Sequence, residues 1–358
     1  MRRWVIVVAG AVSGCSLLVD TTGLTGGTKS AGSDGGGLDA SATLPDGAPA
    51  PGTDGASRDG GPVVVKPPPT KWTRIADAPV RRHSARAVFD AKRSVVVVYG
   101  GLQGPDRMND AYEWDGATWT HRTYDSSPER QSFGFAWDSK RSVAVLMGGQ
   151  YMPGDIWELD GTTWTNKGTL GLPSRMAGFG GAYDSRRGRF IGFGGIVSEQ
   201  EPIDDTFAWD GTNLTKLTPA KSPPSLRGHA MTYDEARDRV VVFGGIDTRA
   251  KAVVGGTWTF DGATWTELSP PGPDARSGAC MAYDAARQLV VMFGGKTQNP
   301  NEMFDETWLW DGTKWQAGPK GPSARRTCAL AFDAKREQIV MYGGNGGDAN
   351  LNDAWTLD

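Results

Sequence analysis

Histidine and cysteine are scarce in this chain, with three of each in 358 residues. Neither His83, His121 and His229 nor Cys15, Cys280 and Cys328 form a cluster with metal-ligand spacing, so no metal or cofactor is expected. Charge of either sign is in small excess. A net charge of −3 argues against a nucleic-acid binder. Long hydrophobic runs are missing too. The apolar stretch Trp4–Val12 is far short of the roughly 20 residues a membrane-spanning helix needs. What is abundant is glycine, at 50 residues, together with 14 tryptophans. That composition points to many strands and turns rather than helices.

The N-terminus combines Arg2 and Arg3, the short apolar run, and Val12-Ser13-Gly14-Cys15. It resembles a bacterial lipoprotein signal peptide with its lipobox. The resemblance implies a signal peptide over residues 1–14, cleavage before Cys15, and lipidation of Cys15. It implies export and a lipid anchor in the cell envelope, since several acyl chains hold a protein far better than one. Ser16 in place of the retention-type Asp points to the outer membrane, on its periplasmic or surface face. Residues 15–69 are mostly Gly, Ala, Ser, Asp, Thr and Pro, with almost nothing to bury. Such a segment is expected to stay disordered. Its Thr21–Pro69 part acts as a coil reaching roughly 35–42 Å.

From residue 70 to 358 one pattern returns. Gly-Gly occurs at Gly100-Gly101, Gly148-Gly149, Gly194-Gly195, Gly244-Gly245, Gly294-Gly295 and Gly343-Gly344. An apolar run such as Val95–Tyr99 precedes each, and reads as a strand buried on both faces. An Asp lies 11 residues before each second Gly, at Asp90, Asp138, Asp184, Asp234, Asp284 and Asp333. Basic residues follow it in a tight turn, and these Asp–Arg/Lys pairs are expected to face solvent and contribute little. After each Gly pair come an aromatic residue, Asp-Gly and, seven residues beyond the aromatic, Trp or Leu214. Asp-Gly between aromatic strands is a hairpin signal. Each unit is therefore four antiparallel strands, a to d. The sixth unit has no strand d after Trp355, whereas Thr70–Arg74 matches Ala117–His121. An N-terminal strand d is expected to complete the last unit and close a ring.

Six copies of apolar run, Gly-Gly, spaced aromatic and Trp resemble the kelch repeat. The resemblance covers residues 70–358 and implies an all-β, six-bladed β-propeller. Two positions depart from the pattern. Leu214 replaces a Trp, and Gly256 replaces the acidic residue found at Asp110, Asp155, Asp205, Glu306 and Asp353.

The a–b and c–d spacings are constant, at 11 and 7, while b–c varies from 8 to 13 and d–a from 18 to 20. Loops that vary on a rigid scaffold tend to carry function. The binding face is therefore expected where the b–c and d–a loops meet the channel mouth. Arg82, Arg130, Arg175, Arg227, Arg276 and Arg325 sit on that face just before strand a, with Arg175 and Arg227 each one residue out of register. They form either a cationic collar for an acidic ligand, as in some kelch relatives, or pairs with the acidic residues of the same face. His83 and His229 are the candidate ligand-facing histidines. The expected function is a non-catalytic module, a monomer, binding a protein, peptide or glycan. One alternative is a sugar-modifying enzyme, as the resemblance allows (sialic acid epimerases among them), drawing on His83, His229, Glu201, Asp204 or Asp247. Another is a structural envelope protein. Cys280 lies four residues before Asp284 and Cys328 five before Asp333, so the two are expected on opposite faces of neighbouring strands as free thiols.

Overall fold

The structure, a computed structural model, describes residues 64–150, 153–198, 201–298 and 302–358. The signal peptide, Cys15 and the tether as far as residue 63 lie outside the described residues. Among these residues there is no helix, and six four-stranded antiparallel sheets are present. Blade 1 is Arg86–Asp90, Val95–Tyr99, Ala111–Trp114 and Trp119–Arg122. Blade 2 is Gly134–Asp138, Val143–Met147, Ile156–Leu159 and Trp164–Gly168. Blade 3 is Gly180–Asp184, Arg189–Phe193, Thr206–Trp209 and Leu214–Leu217. Blade 4 is Ala230–Asp234, Arg239–Phe243, Thr257–Phe260 and Trp265–Leu268. Blade 5 is Cys280–Asp284, Leu289–Phe293, Thr307–Trp310 and Trp315–Ala317.

Blade 6 takes strands a to c from Ala329–Asp333, Gln338–Asn345 and Asn350–Leu357, and its outer strand from Trp72–Ile75. Trp72 pairs with Leu357 and Ile75 with Ala354. The six a strands neighbour one another in blade order, with blade 6 next to blade 1, so the sheets form a closed propeller. The b strands carry the deepest core: Val96, Val145, Phe190, Val241, Val290 and Ile339 are fully buried. That explains why they read as unbroken apolar runs.

The Gly-Gly pairs lie where the next blade comes closest. Gly100 and Gly101 have φ of 64° and 90°. A Cβ on Gly100 would lie 2.7 Å from the Arg130 carbonyl oxygen, and one on Gly101 2.6 Å from that of His83. The Gly101 N–H instead donates to the Arg130 carbonyl at 2.7 Å, tying blade 1 to blade 2.

The Asp-containing turns differ from expectation. Asp90, Asp138, Asp184, Asp234, Asp284 and Asp333 are buried, at 0–1% exposure. Each accepts from the backbone N–H and guanidinium of the Arg three residues on, as with Arg93 and Asp90 at 3.0 and 2.6 Å. The Arg then covers the Asp-Gly turn of the following blade: Arg93 lies over Gly161, Arg141 over Gly211, Arg187 over Gly262 and Arg237 over Gly312. A side chain at those glycines would collide with the guanidinium, so the turns latch blade to blade.

Cys280 and Cys328 form a disulfide across 48 residues, with Cα atoms 5.8 Å apart, which corrects the free-thiol expectation. The two cysteines project from opposite faces of their own blades, as their spacing from Asp284 and Asp333 implies. Blades pack face to face, so one face of blade 5 meets the opposite face of blade 6. The same offset brings Gly134 to Phe179 and Gly180 to His229. By loop-closure entropy, a bridge of this span contributes about 2–4 kcal/mol.

Candidate functional site: the channel mouth on the variable-loop face

Strand a of each blade is preceded by a residue in the left-handed region: Ser84, Ser132, Gly178, Gly228, Gly278 and Thr327, with φ from 53° to 70°. Their backbones run around the axis as a chain of hydrogen bonds. Ser132 N–H donates to Ser84, Ser84 to Thr327, Thr327 to Gly278, Gly278 to Gly228, and Gly228 to Gly178, at 2.7–3.3 Å. This backbone ring narrows the channel on the face of the variable loops.

In front of the ring each blade contributes two residues, one before strand a and one after the Gly pair. These residues pair as His83 with Leu102, Ala177 with Ile196, Arg227 with Ile246, Ser277 with Lys296, and Arg326 with Asn345. In blade 2 Gln150 N–H donates to the Gln131 carbonyl at 3.1 Å. None of these twelve residues is Asp or Glu. Blades 4, 5, 6 and 1 place Arg227, Lys296, Arg326 and His83 side by side, whereas blades 2 and 3 are uncharged.

The six predicted arginines divide. Arg82, Arg130, Arg276 and Arg325 are turned inward, at 0–2% exposure. Arg82 meets Asp110 at 2.9 Å, Arg276 meets Glu306 at 2.9 Å, and Arg130 meets Asp155. Arg325 grips both oxygens of Asp353 at 2.6 and 2.7 Å. Asp155, Glu306 and Asp353 also accept from the Trp two positions on, as Trp355 Nε1 to Asp353 at 2.7 Å, whereas Asp110 meets His121 Nε2 at 2.7 Å. These four guanidiniums are occupied and are not offered to the face. Arg175 and Arg227 are exposed. Their register offset was the visible signal: buried Met176 and Leu226 hold the inward place in blades 3 and 4. Asp205, left without an inward arginine, pairs with Lys216 at 2.8 Å, and blade 4 has Gly256 in place of an acid.

Beside Arg227 the face dips into a cavity of about 280 Å³, lined by Arg227, Thr248, Lys251, Ser277 and Lys296 over an apolar floor of Ile196 and Ile246. Lys296 is partly buried, and that burial, together with the charge of Arg326, lowers its pKa. No described carboxylate lies within ion-pair distance of Arg227, Lys296 or Arg326. Burial, and then Arg326, also lowers the pKa of His83, whose Nδ1 lies 3.0 Å from Ser84 Oγ. At neutral pH His83 thus offers a hydrogen bond rather than a charge. Sequence reasoning missed Lys296 and Arg326, because only the pairing across the mouth brings the two positions together.

The remaining candidates do not converge. His229 is buried in the channel behind the backbone ring, separated from His83 in front of it. Asp204 pairs with Arg249 at 2.7 Å. Asp247 caps its own turn by accepting from the N–H groups of Arg249 and Ala250. Glu201 is exposed on a short hairpin of the blade 3 b–c loop.

Residues 180–358 match the family model described as the KLHDC2/KLHL20/DRC7 Kelch-repeats domain. The solved structure of YjhT superposes with a TM-score of 0.62 at 14% identity, over 79% of this chain and 96% of that one, a likeness of fold. No curated protein matches the sequence. With half of the chain under the family model and the repeat geometry continuous around the ring, this chain belongs to the kelch-repeat propeller family.

Proposed function

We propose that this protein is an exported, lipid-anchored binding module that holds an acidic protein or peptide at the cationic half of its variable-loop face. Kelch-repeat propellers are in general protein-interaction scaffolds. The observation that carries the finer reading is the trio Arg227, Lys296 and Arg326. Three cations share one rim with no carboxylate partner among the described residues, whereas Arg82, Arg130, Arg276 and Arg325 on the same face each meet one. Like charges held together cost stability unless something else neutralises them. The apolar floor of the adjoining cavity suits a peptide that carries both acidic and aliphatic side chains.

The test is fluorescence anisotropy with an acidic peptide and its neutral and basic analogues, at low and high salt. Charged hydrogen bonds contribute about 1.5–3 kcal/mol each, so the triple variant Arg227→Gln/Lys296→Gln/Arg326→Gln should bind the acidic peptide at least about tenfold more weakly. Equal binding of the three peptides, or no effect of the triple variant, would reject the reading.

Export and anchoring rest on the leader and on Cys15, and the Cys280–Cys328 disulfide supports an oxidising compartment. The expected outcome is that wild-type protein sediments with membranes, while Cys15→Ala is released to the soluble fraction. Wild-type protein in the soluble fraction would contradict it.

A further inference from the structure

The propeller has a second concavity, on the opposite face. Between the a–b turns the channel opens into a funnel of about 330 Å³. The funnel leads into a smaller cavity of about 60 Å³ behind the backbone ring, and the two share Ala87, Phe135, Gly181, Met231, Met281 and Leu330 in their walls. Strand a runs four residue steps from the floor at Arg86 to Asp90 beside the rim, which is roughly 13 Å of depth. The wall is apolar, yet Phe89, Trp137, Met231 and Met281 are only partly buried, because they face open channel. Glu235, at the rim, accepts from Ser185 Oγ at 2.9 Å.

The floor has the opposite chemistry. Arg86 reaches in from blade 1, and its Nε donates to the Phe133 carbonyl at 3.3 Å. Its two terminal nitrogens have no partner among the described residues, and no Asp or Glu lines the inner cavity. His229, 3% exposed, lies in the same cavity with both ring nitrogens unpartnered. The Leu226 carbonyl is near the ring but misses hydrogen-bond geometry. A buried polar ring that makes no hydrogen bond is a liability unless a guest supplies one. Burial, with the Arg86 charge behind it, pushes the His229 pKa down to about 4, so the ring is neutral at pH 7 and keeps one N–H to donate.

We propose that this funnel binds a small monocarboxylate with an apolar tail, head first, with Arg86 and His229 holding the carboxylate and the walls of the a strands covering the tail. A guanidinium at the end of an apolar shaft is complementary to that pairing of charge and hydrocarbon, and a neutral or cationic head group would leave Arg86 without a counter-charge. The site lies on the face opposite the acidic-partner rim, so the two readings stand or fall separately.

The probe is octanoate, titrated calorimetrically at pH 7 into the full chain carrying Cys15→Ala, with octanamide as its uncharged counterpart. The expected result is one octanoate per chain and octanamide at least about tenfold weaker. Arg86→Gln should lower octanoate to the octanamide level, while Arg227→Gln leaves it unchanged. Ala87→Phe, which puts into blade 1 the side chain that blade 2 carries at Phe135, should plug the funnel and remove both. It keeps the test decisive if Arg86→Gln fails to fold. His229→Phe, matching Phe133 and Phe179 in blades 2 and 3, should fold and bind octanoate more weakly. Absence of saturable binding, equal binding of octanamide, or octanoate binding that survives both Arg86→Gln and Ala87→Phe would overturn the proposal.

Discussion

A chain that begins at Ala76 is expected to lose cooperative folding altogether. It lacks Trp72–Ile75, the outer strand of blade 6, and leaves Asn350–Leu357 as an open edge. The loss is more than a ladder. Trp72 packs edge-on against Phe293 at 5.4 Å and lies in one core with Val291, Leu309, Ile339 and Met341. Its Nε1 donates to Thr307 Oγ1 at 2.8 Å, so the strand also ties blade 6 to blade 5. Removing the indole alone, in Trp72→Ala, should cost about 3–5 kcal/mol. Removing the whole strand adds its backbone pairing and the Thr70 N–H bond to the Asp358 carbonyl. Against a total stability of roughly 5–15 kcal/mol, nothing cooperative is left. Thermal unfolding followed by circular dichroism checks this. A sharp transition within a few degrees of wild type would mean that the ring does not depend on its N-terminal strand.

Arg325→Ala is expected to destabilise the propeller by about 3–5 kcal/mol, because it breaks a buried ion pair from one side. That corresponds to roughly 5–8 °C in melting temperature for a domain of this size. Arg325 is fully buried and also donates to the Gly343 carbonyl at 3.1 Å and the Ser323 carbonyl at 3.0 Å. Asp353 would keep only Trp355 as a donor. Arg325→Lys should recover little, since a point charge does not reproduce the two-pronged grip.

The pH dependence gives this prediction its sign. In the wild type, burial pushes the Asp353 pKa up, but the hydrogen bonds and charge of Arg325 outweigh it and hold the pKa below the ordinary 3.8. The pair's contribution is therefore complete above pH 3.8 and lost as the pH falls through the lower folded value. Without Arg325, burial is opposed only by the Trp355 hydrogen bond and the weaker pull of Arg74, so the folded pKa rises and protonation relieves the variant. The difference in melting temperature between the two should be largest near pH 7 and shrink toward pH 4. A constant difference would show that lost packing, not the ion pair, accounts for the effect.

Much of the architecture was legible because the repeat writes it six times. The invariant 11-residue spacing from Asp to the second Gly is the a–b hairpin, and the match of Thr70–Arg74 to Ala117–His121 announced how the ring closes. The division of the arginines was half visible. Arg175 and Arg227 stood out of register, and the inward guanidiniums of the other four follow from the acids opposite them. What stayed hidden depends on contacts between blades, which no spacing within a blade reports. The disulfide needed the face-to-face packing of blades 5 and 6. The burial of the turn aspartates needed the arginines that reach over the next blade's Asp-Gly turn. Lys296 and Arg326 became neighbours of Arg227 only through the paired residues of the mouth, and Arg86 and His229 only through the channel they share.

The most direct test crosses the two kinds of arginine on one face. Melting temperature and acidic-peptide affinity are measured side by side for Arg325→Ala and for Arg227→Gln/Lys296→Gln/Arg326→Gln. The account predicts opposite outcomes. Arg325→Ala should melt several degrees lower while its folded form binds as wild type does, and the triple variant should melt within a degree or two of wild type, or above it, while binding falls at least about tenfold. If the triple variant instead loses stability and keeps its affinity, the exposed cations are part of the scaffold and the rim is not the binding site.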